Sequence, residues 1–70
     1  MKIKAQGHTF QFEIHRLRRG CWVYRLIVVD DEPQFDYGSD PEPTERACRA
    51  LARNLAENGK HHPVYGWCLS

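Results

Sequence analysis

The sequence predicts a single α+β domain in which one C-terminal helix covers the apolar face of an antiparallel β-meander. Apolar and polar residues alternate along the first part of the chain, and the apolar period changes to 3.6 residues between Asp40 and Gly59. With 70 residues, the chain is expected to form one domain, residues 1–70. The expected elements are strands at about 2–6, 8–17, 21–29 and 34–38, a helix at about 43–58, and a short fifth strand or packed extended segment near 64–69.

The first hairpin is predicted from Phe10, Phe12 and Ile14, which alternate with polar neighbours. A three-residue turn over residues 18–20, with Gly20 in the left-handed conformation, would close it. The register that this turn imposes places apolar residues opposite each other on one face and opposite charges on the other, as cross-strand pairing favours. Its expected pairs are Leu17 with Cys21, Phe12 with Leu26, Ile14 with Tyr24, Phe10 with Val28, and Glu13 with Arg25.

Two further turns are predicted, a two-residue turn at Gln6-Gly7 and a four-residue connection over residues 30–33. They would pair Ile3 with Phe10, Phe35 with Val28, and Tyr37 with Leu26. The three turns agree on one apolar face, and this agreement is the strongest sequence evidence for the meander. That face comprises Ile3, Phe10, Phe12, Ile14, Trp22, Tyr24, Leu26, Val28, Phe35 and Tyr37.

The helix is predicted to cover this face with an apolar stripe made of Cys48, Leu51, Ala52 and Leu55. Asp40, Pro41 and Glu42 are typical of a helix start, so the first helical residue is expected between positions 41 and 44. Asn58-Gly59 is typical of a helix end.

The formal net charge is only +1, far from the basic balance of a dedicated nucleic-acid-binding protein. The charges are nevertheless segregated, because residues 1–29 and 46–70 are basic whereas residues 30–45 hold seven acids and no base. Three cysteines without close spacing indicate a reducing environment, and no apolar run approaches the roughly 20 residues that span a membrane. We therefore expect a cytoplasmic protein without membrane contact.

No cofactor, metal site or catalytic site is predicted. His61, His62 and Cys68 lack the close ligand pairs that structural zinc sites use. His15 and Cys21 are predicted on an open sheet face, which offers neither the enclosure nor the third group that a Cys–His nucleophile needs. We expect a protein that is not an enzyme.

Three meander strands followed by one helix, over residues 21–55, are similar in outline to the arm-type DNA-binding domains of phage integrases and to the HicB antitoxin fold. The integrase-type domains contact DNA with basic and polar residues on the exposed sheet face, so the resemblance implies that face as a DNA-binding surface. In this chain the central strand is predicted to place Val23, Ile27 and Val29 there.

Nucleic-acid binding is the alternative function. The predicted contacts are the hairpin arginines Arg16, Arg18 and Arg19, together with the helix arginines Arg46, Arg49 and Arg53. Three arginines at i, i+3 and i+7 are also the ordinary solvated face of an amphipathic helix.

The function we expect first is that of a small protein-interaction module, such as a regulatory or inhibitory protein of a bacterium or phage. The predicted interface is the outer sheet face with Val23, Arg25, Ile27 and Val29. A strand that is apolar on both faces is normally covered on both, and one helix can cover only one side. Either the C-terminal tail folds over the outer face, or this face meets another protein or a second copy of the chain.

Overall fold

A computed structural model of the chain describes residues 1–35 and 38–69. It contains strands β1 (Lys2–Ala5), β2 (His8–Arg18), β3 (Cys21–Val29) and β4 (Glu32–Pro33), helix α1 (Glu45–Asn58), and strands β5 (Lys60–His62) and β6 (Gly66–Cys68). The first four strands form one antiparallel sheet in the order β1-β2-β3-β4, while β5 and β6 form a separate hairpin. The predicted α+β meander with one C-terminal helix is confirmed.

Two tight turns, Gln6-Gly7 and Asp30-Asp31, lie at the same end of the sheet, which we call the near end. The far end is the one with the turn between β2 and β3. Gln6 and Gly7 have φ values of 54° and 77°, and Asp30 and Asp31 have values of 50° and 68°. Two consecutive residues with positive φ are typical of the two-residue hairpin turn that matches strand twist. The first turn pairs Ile3 with Phe10 as predicted.

The second turn corrects the predicted four-residue connection, because it closes after only Asp30 and Asp31. Strand β4 therefore consists of Glu32 and Pro33, which pair with the end of β3. Phe35 is 81% exposed instead of lying on the core face. The predicted place of Tyr37 lies outside the described residues.

The predicted register of the first hairpin is confirmed in its middle, where Phe12 pairs with Leu26, Ile14 with Tyr24, and Glu13 with Arg25. It is wrong toward the near end, because Ile27 is an extra residue in β3. This β-bulge shifts the facing pairs so that Phe10 lies opposite Val29, not Val28. Val29 is 5% exposed and belongs to the core, so its prediction as an outer-face interface residue is also wrong.

A second register shift lies toward the far end of the hairpin. Leu17 is an extra residue in β2, so Cys21 pairs with Arg18, which corrects the predicted pairing of Cys21 with Leu17. The turn itself is Arg19-Gly20, and Gly20 has a φ of 71°. Leu17 is left with 64% of its surface exposed.

Helix α1 begins after Thr44, whose Oγ1 accepts a hydrogen bond from the Ala47 amide at 3.1 Å. This cap places the first helical residue at position 45, slightly later than predicted. The helix ends at Asn58, and Gly59 follows in extended backbone with a φ of −70°. A Cβ at Gly59 would lie 2.4 Å from the Leu55 carbonyl oxygen, so close approach is what requires glycine here.

The core lies between the sheet and the helix and consists of Ile3, Phe10, Phe12, Leu26, Val29, Ala52, Leu55 and Ala56. The tail hairpin β5–β6 packs on the same side, because the Trp67 ring lies 5.0 Å from the Phe10 ring in an edge-to-face contact. The tail therefore does not fold over the outer sheet face. Among the described residues, no helix has the length and apolar character that crossing a membrane requires.

Candidate protein-interaction site

The far end of the β2–β3 hairpin projects from the rest of the sheet. β2 has 11 residues, yet β1 pairs only with its first four, His8 to Gln11. β4 pairs only with Val28 and Val29 at the end of β3. The half of the hairpin that carries the turn at Arg19-Gly20 thus extends beyond both neighbouring strands, and the chain measures 33 by 22 by 22 Å.

The β3 side of this projecting half is closed by the segment that leads into the helix. Trp22 and Glu42 exchange two backbone hydrogen bonds of 2.8 Å each. Two residues further along, the Ser39 amide donates to the Tyr24 carbonyl, and the Tyr24 amide donates to the Ser39 hydroxyl, both at 2.9 Å. Residues 39–42 therefore act as a partner strand for β3.

The β2 side is open beyond Phe12. The backbone groups of Trp22 and Tyr24 point toward residues 39–42. Their partners in β2, Arg16 and Ile14, therefore turn their own N–H and C=O groups to the opposite edge. At Phe12 these groups bond to Met1, at 2.8 and 3.0 Å. In the described part of the chain, no backbone partner lies beside Ile14 or Arg16 on this edge.

A shallow apolar groove of about 380 Å³ crosses the outer face of the same half. Its apolar walls are Leu17 at the open edge, Val23 in the middle, and Pro41 on the closing segment. The other lining residues are His15, Arg25, Gly38 and Ser39. None of them belongs to α1 or to the tail hairpin, which pack on the opposite side of the sheet.

The far end is electropositive. Arg16, Arg18 and Arg19 are all exposed, and among the described residues no carboxylate oxygen lies within 4.0 Å of their guanidinium groups. The nearest acid along β2 is Glu13, whose carboxylate lies 3.6 Å from His15. Unpaired arginines beside an apolar groove leave a surface that favours an acidic ligand.

The structure brings together only part of the predicted interface. Val23 and Arg25 line the groove, whereas Ile27 is half-buried at the bulge and accepts a 2.8 Å bond from the Gln34 amide. Val29 lies in the core. Leu17 and Pro41 also line the groove and were not predicted to do so. The available signal for Leu17 was one apolar residue placed among arginines next to a turn.

The predicted nucleic-acid contacts fall into two groups on different elements. Helix α1 buries Cys48, Ala52, Leu55 and Ala56, and its exposed residues include Arg46, Arg49 and Arg53. Of these, Arg49 lies 3.6 Å from the Glu45 carboxylate and 3.3 Å from the Met1 sulfur. No described contact joins this group to the hairpin arginines.

A second concavity of about 330 Å³ lies at the near end of the sheet, between the Asp30-Asp31 turn and the tail. The Asp30 carboxylate accepts from the Thr9 amide at 2.8 Å and lies 2.5 Å from His8 Nδ1, and the hydrogen bond with His8 holds the pKa of Asp30 below its ordinary value. The Trp67 ring contacts the His8 and His61 rings edge-on, at 5.2 and 5.6 Å. These contacts connect the turn, the second strand and the tail.

Within residues 1–35 and 38–69, no three His, Cys, Asp or Glu side chains are grouped so as to hold a metal ion. Cys21 and Cys48 are buried free thiols, and burial raises the pKa of Cys48. A buried, protonated thiol is a poor nucleophile.

Comparisons of the chain with known protein families, with curated proteins and with solved structures found no match.

Proposed function

We propose that this chain is a small, non-enzymatic protein-interaction module that binds another protein through the far end of the β2–β3 hairpin. The observation that supports this most is the outer-face groove, in which Leu17, Val23 and Pro41 form an apolar surface outside the helix-covered core. An apolar patch beside a polar rim is typical of a protein-binding surface.

The setting we propose is the cytoplasm of a bacterium or phage-infected cell, with a regulatory or inhibitory role. Three free cysteines support a reducing compartment. A domain of 70 residues has little core to spare for a deep pocket, so we expect binding to use surface features such as this hairpin.

Nucleic-acid binding is the second candidate, and the unpaired Arg16, Arg18 and Arg19 favour it. A few phosphate contacts from these residues would give only non-specific binding, with a Kd of roughly 10⁻⁴–10⁻⁶ M at physiological salt. The outer face beside these arginines is apolar at Leu17 and Val23, which favours a protein ligand over a phosphate backbone.

The proposal is tested by affinity capture from a lysate of the source cell, with the wild-type chain and two variants compared before and after nuclease treatment. Leu17→Glu places a charge in the groove and should abolish retention of a wild-type partner. Val64→Glu is the matched control, because Val64 is 76% exposed on the turn of the tail hairpin and lies outside the groove.

Retention that survives nuclease, disappears with Leu17→Glu and persists with Val64→Glu supports the proposal. If nuclease removes everything that the chain retains, the nucleic-acid function replaces it. Retention that is equal for the two variants would contradict the placement of the site.

A further inference from the structure

We propose that the partner of this module contributes an extended acidic segment, which adds as a new strand to the open edge of β2 at Ile14 and Arg16. This inference rests on the proposed protein-binding function and specifies its mode. It concerns the edge of the sheet, whereas the groove lies on the outer face beside that edge.

The backbone geometry supplies the hydrogen-bonding groups. Phe12, Ile14 and Arg16 all turn their N–H and C=O groups away from β3. Those of Phe12 bond to Met1, whereas those of Ile14 and Arg16 have no partner within residues 1–35 and 38–69. A strand that lay along this edge beyond Phe12 would meet the N–H and C=O groups of Ile14 and Arg16. This arrangement is β-augmentation, in which main-chain hydrogen bonds hold a peptide and side chains select it.

The opposite edge of the same hairpin shows the geometry of such an addition. There, residues 39–42 lie beside β3 and bond to Trp22 and Tyr24 without forming a long regular strand. The hairpin thus already carries one irregular partner segment on its β3 side. The β2 side has the same strand geometry and, among the described residues beyond Phe12, no partner.

The charge at this edge selects an acidic segment. Arg16, Arg18 and Arg19 are exposed, and no described carboxylate lies within 4.0 Å of them. A second copy would be a poor occupant. Antiparallel pairing of two β2 edges around His15 would place Arg18 beside Phe12 of the other copy, whose N–H and C=O groups already bond to Met1, and it would bring the two Arg16 side chains together diagonally. Like charges on paired strands are destabilising.

The side chains suggest an alternating pattern in the ligand. Successive residues of an added strand point to opposite faces of the sheet. In one of the two possible alignments of an alternating segment, its acidic residues lie on the face that carries Arg16. Its apolar residues then lie on the outer face, next to Leu17 and the groove. A segment that alternates acidic and apolar residues therefore fits both features.

The experiment uses the full chain, labelled with ¹⁵N, and two seven-residue peptides with blocked ends. One peptide alternates Glu and Val, and its matched control alternates Lys and Val. At about ten times the measured Kd, the Glu/Val peptide should slow amide hydrogen exchange at Ile14 and Arg16 about tenfold, because their N–H groups become bonded. The Lys/Val peptide should give no slowing.

Two substitutions at one position separate hydrogen bonding from charge. Arg16→Thr removes the guanidinium and keeps the N–H, whereas Arg16→Pro removes both. Since the Arg16 N–H does not bond to β3, proline there spares the β2–β3 ladder. Arg16→Pro should weaken Glu/Val peptide binding about fivefold more than Arg16→Thr does.

Equal weakening by the two variants, or slowing of exchange with the Lys/Val peptide, would overturn the inference. So would the absence of slowing with the Glu/Val peptide, or slowing without peptide that rises with protein concentration and accompanies a doubled mass in light scattering. Each of these outcomes leaves the proposed function standing if the captured partner still depends on Leu17. Loss of that dependence is the separate result that would end the proposed function.

Discussion

The two ends of the β2–β3 hairpin differ in what surrounds them. At the near end, Phe10 and Phe12 are buried against helix and tail, and the edges are bordered by β1 and β4. At the far end, residues 13–20 are exposed or half-buried, and the β2 edge has no described partner beyond Phe12. One pair of strands therefore supplies the core at one end and a projecting surface at the other.

Substitutions at the near end should therefore affect stability, whereas substitutions at the far end should affect binding. In a small domain, folding free energy comes mostly from a few buried side chains, so it is concentrated at the near end. The far end can carry unpaired arginines and an exposed leucine because it contributes little to that total.

The largest effect is expected from truncating the near-end core. Leu26→Ala should lower the free energy of unfolding by about 2–5 kcal/mol, because Leu26 is 3% exposed and packs in the main cluster. Leu17→Ala, at the far end, should change it by less than about 0.5 kcal/mol. Urea denaturation of both variants measures the difference, and similar losses would mean that the far end belongs to the core.

A smaller loss of stability is expected from a substitution that tests the bulge at Ile27. The test compares the two valines that follow Ile27, because the bulge decides which of them faces the core. Val29→Thr should cost about 1–3 kcal/mol, because it places a hydroxyl in the core. Val28→Thr should cost clearly less, because Val28 is half-buried and pairs with Gln11 on the outer face. Thermal unfolding of the pair decides the register: a larger loss for Val28→Thr would restore the pairing without a bulge.

A pH effect is expected from Asp30, whose pKa is lowered by its hydrogen bond with His8. A lowered folded-state pKa means that the ionised carboxylate stabilises the fold above its ordinary pKa of 3.8, and that this contribution is lost as the pH falls through the lowered value. Melting temperature measured from pH 7 downward should therefore fall less steeply below pH 3.8 in Asp30→Asn than in the wild type.

Asp31→Asn is the matched control for that titration, because it removes the neighbouring carboxylate and leaves the His8–Asp30 contact in place. The same flattening in both variants would show that the acidic turn acts through its total charge, and the assignment to Asp30 would be wrong.

The smallest effect concerns local opening. Cys21 lies at the far end and is 8% exposed, whereas Cys48 is fully buried and has a raised pKa because of that burial. We expect Cys21 to be alkylated before Cys48 in the native protein, since the far end can open without breaking the core. Mass spectrometry of the timed reaction shows the order, and equal rates would mean that the two ends open together.

The first three strands, the helix and the middle of the β2–β3 register follow from the sequence alone. Alternation defined the strands, the 3.6-residue period defined the helix, and the Gln6-Gly7 turn paired Ile3 with Phe10 as predicted. It also identified Val23 and Arg25 as neighbours on the outer face. These features depend on residues close in sequence, where pattern and turn chemistry act directly.

The bulge, the position of the tail and the open edge depend on tertiary packing. Ile27, Val28 and Val29 are all apolar, so periodicity cannot tell which of them faces the core. The short Asp30-Asp31 turn depends on the Asp30 carboxylate bonding to Thr9, 21 residues away in sequence. Among the described residues, the β2 edge has no partner beyond Phe12, and which strand borders which is a property of long-range packing, not of local pattern.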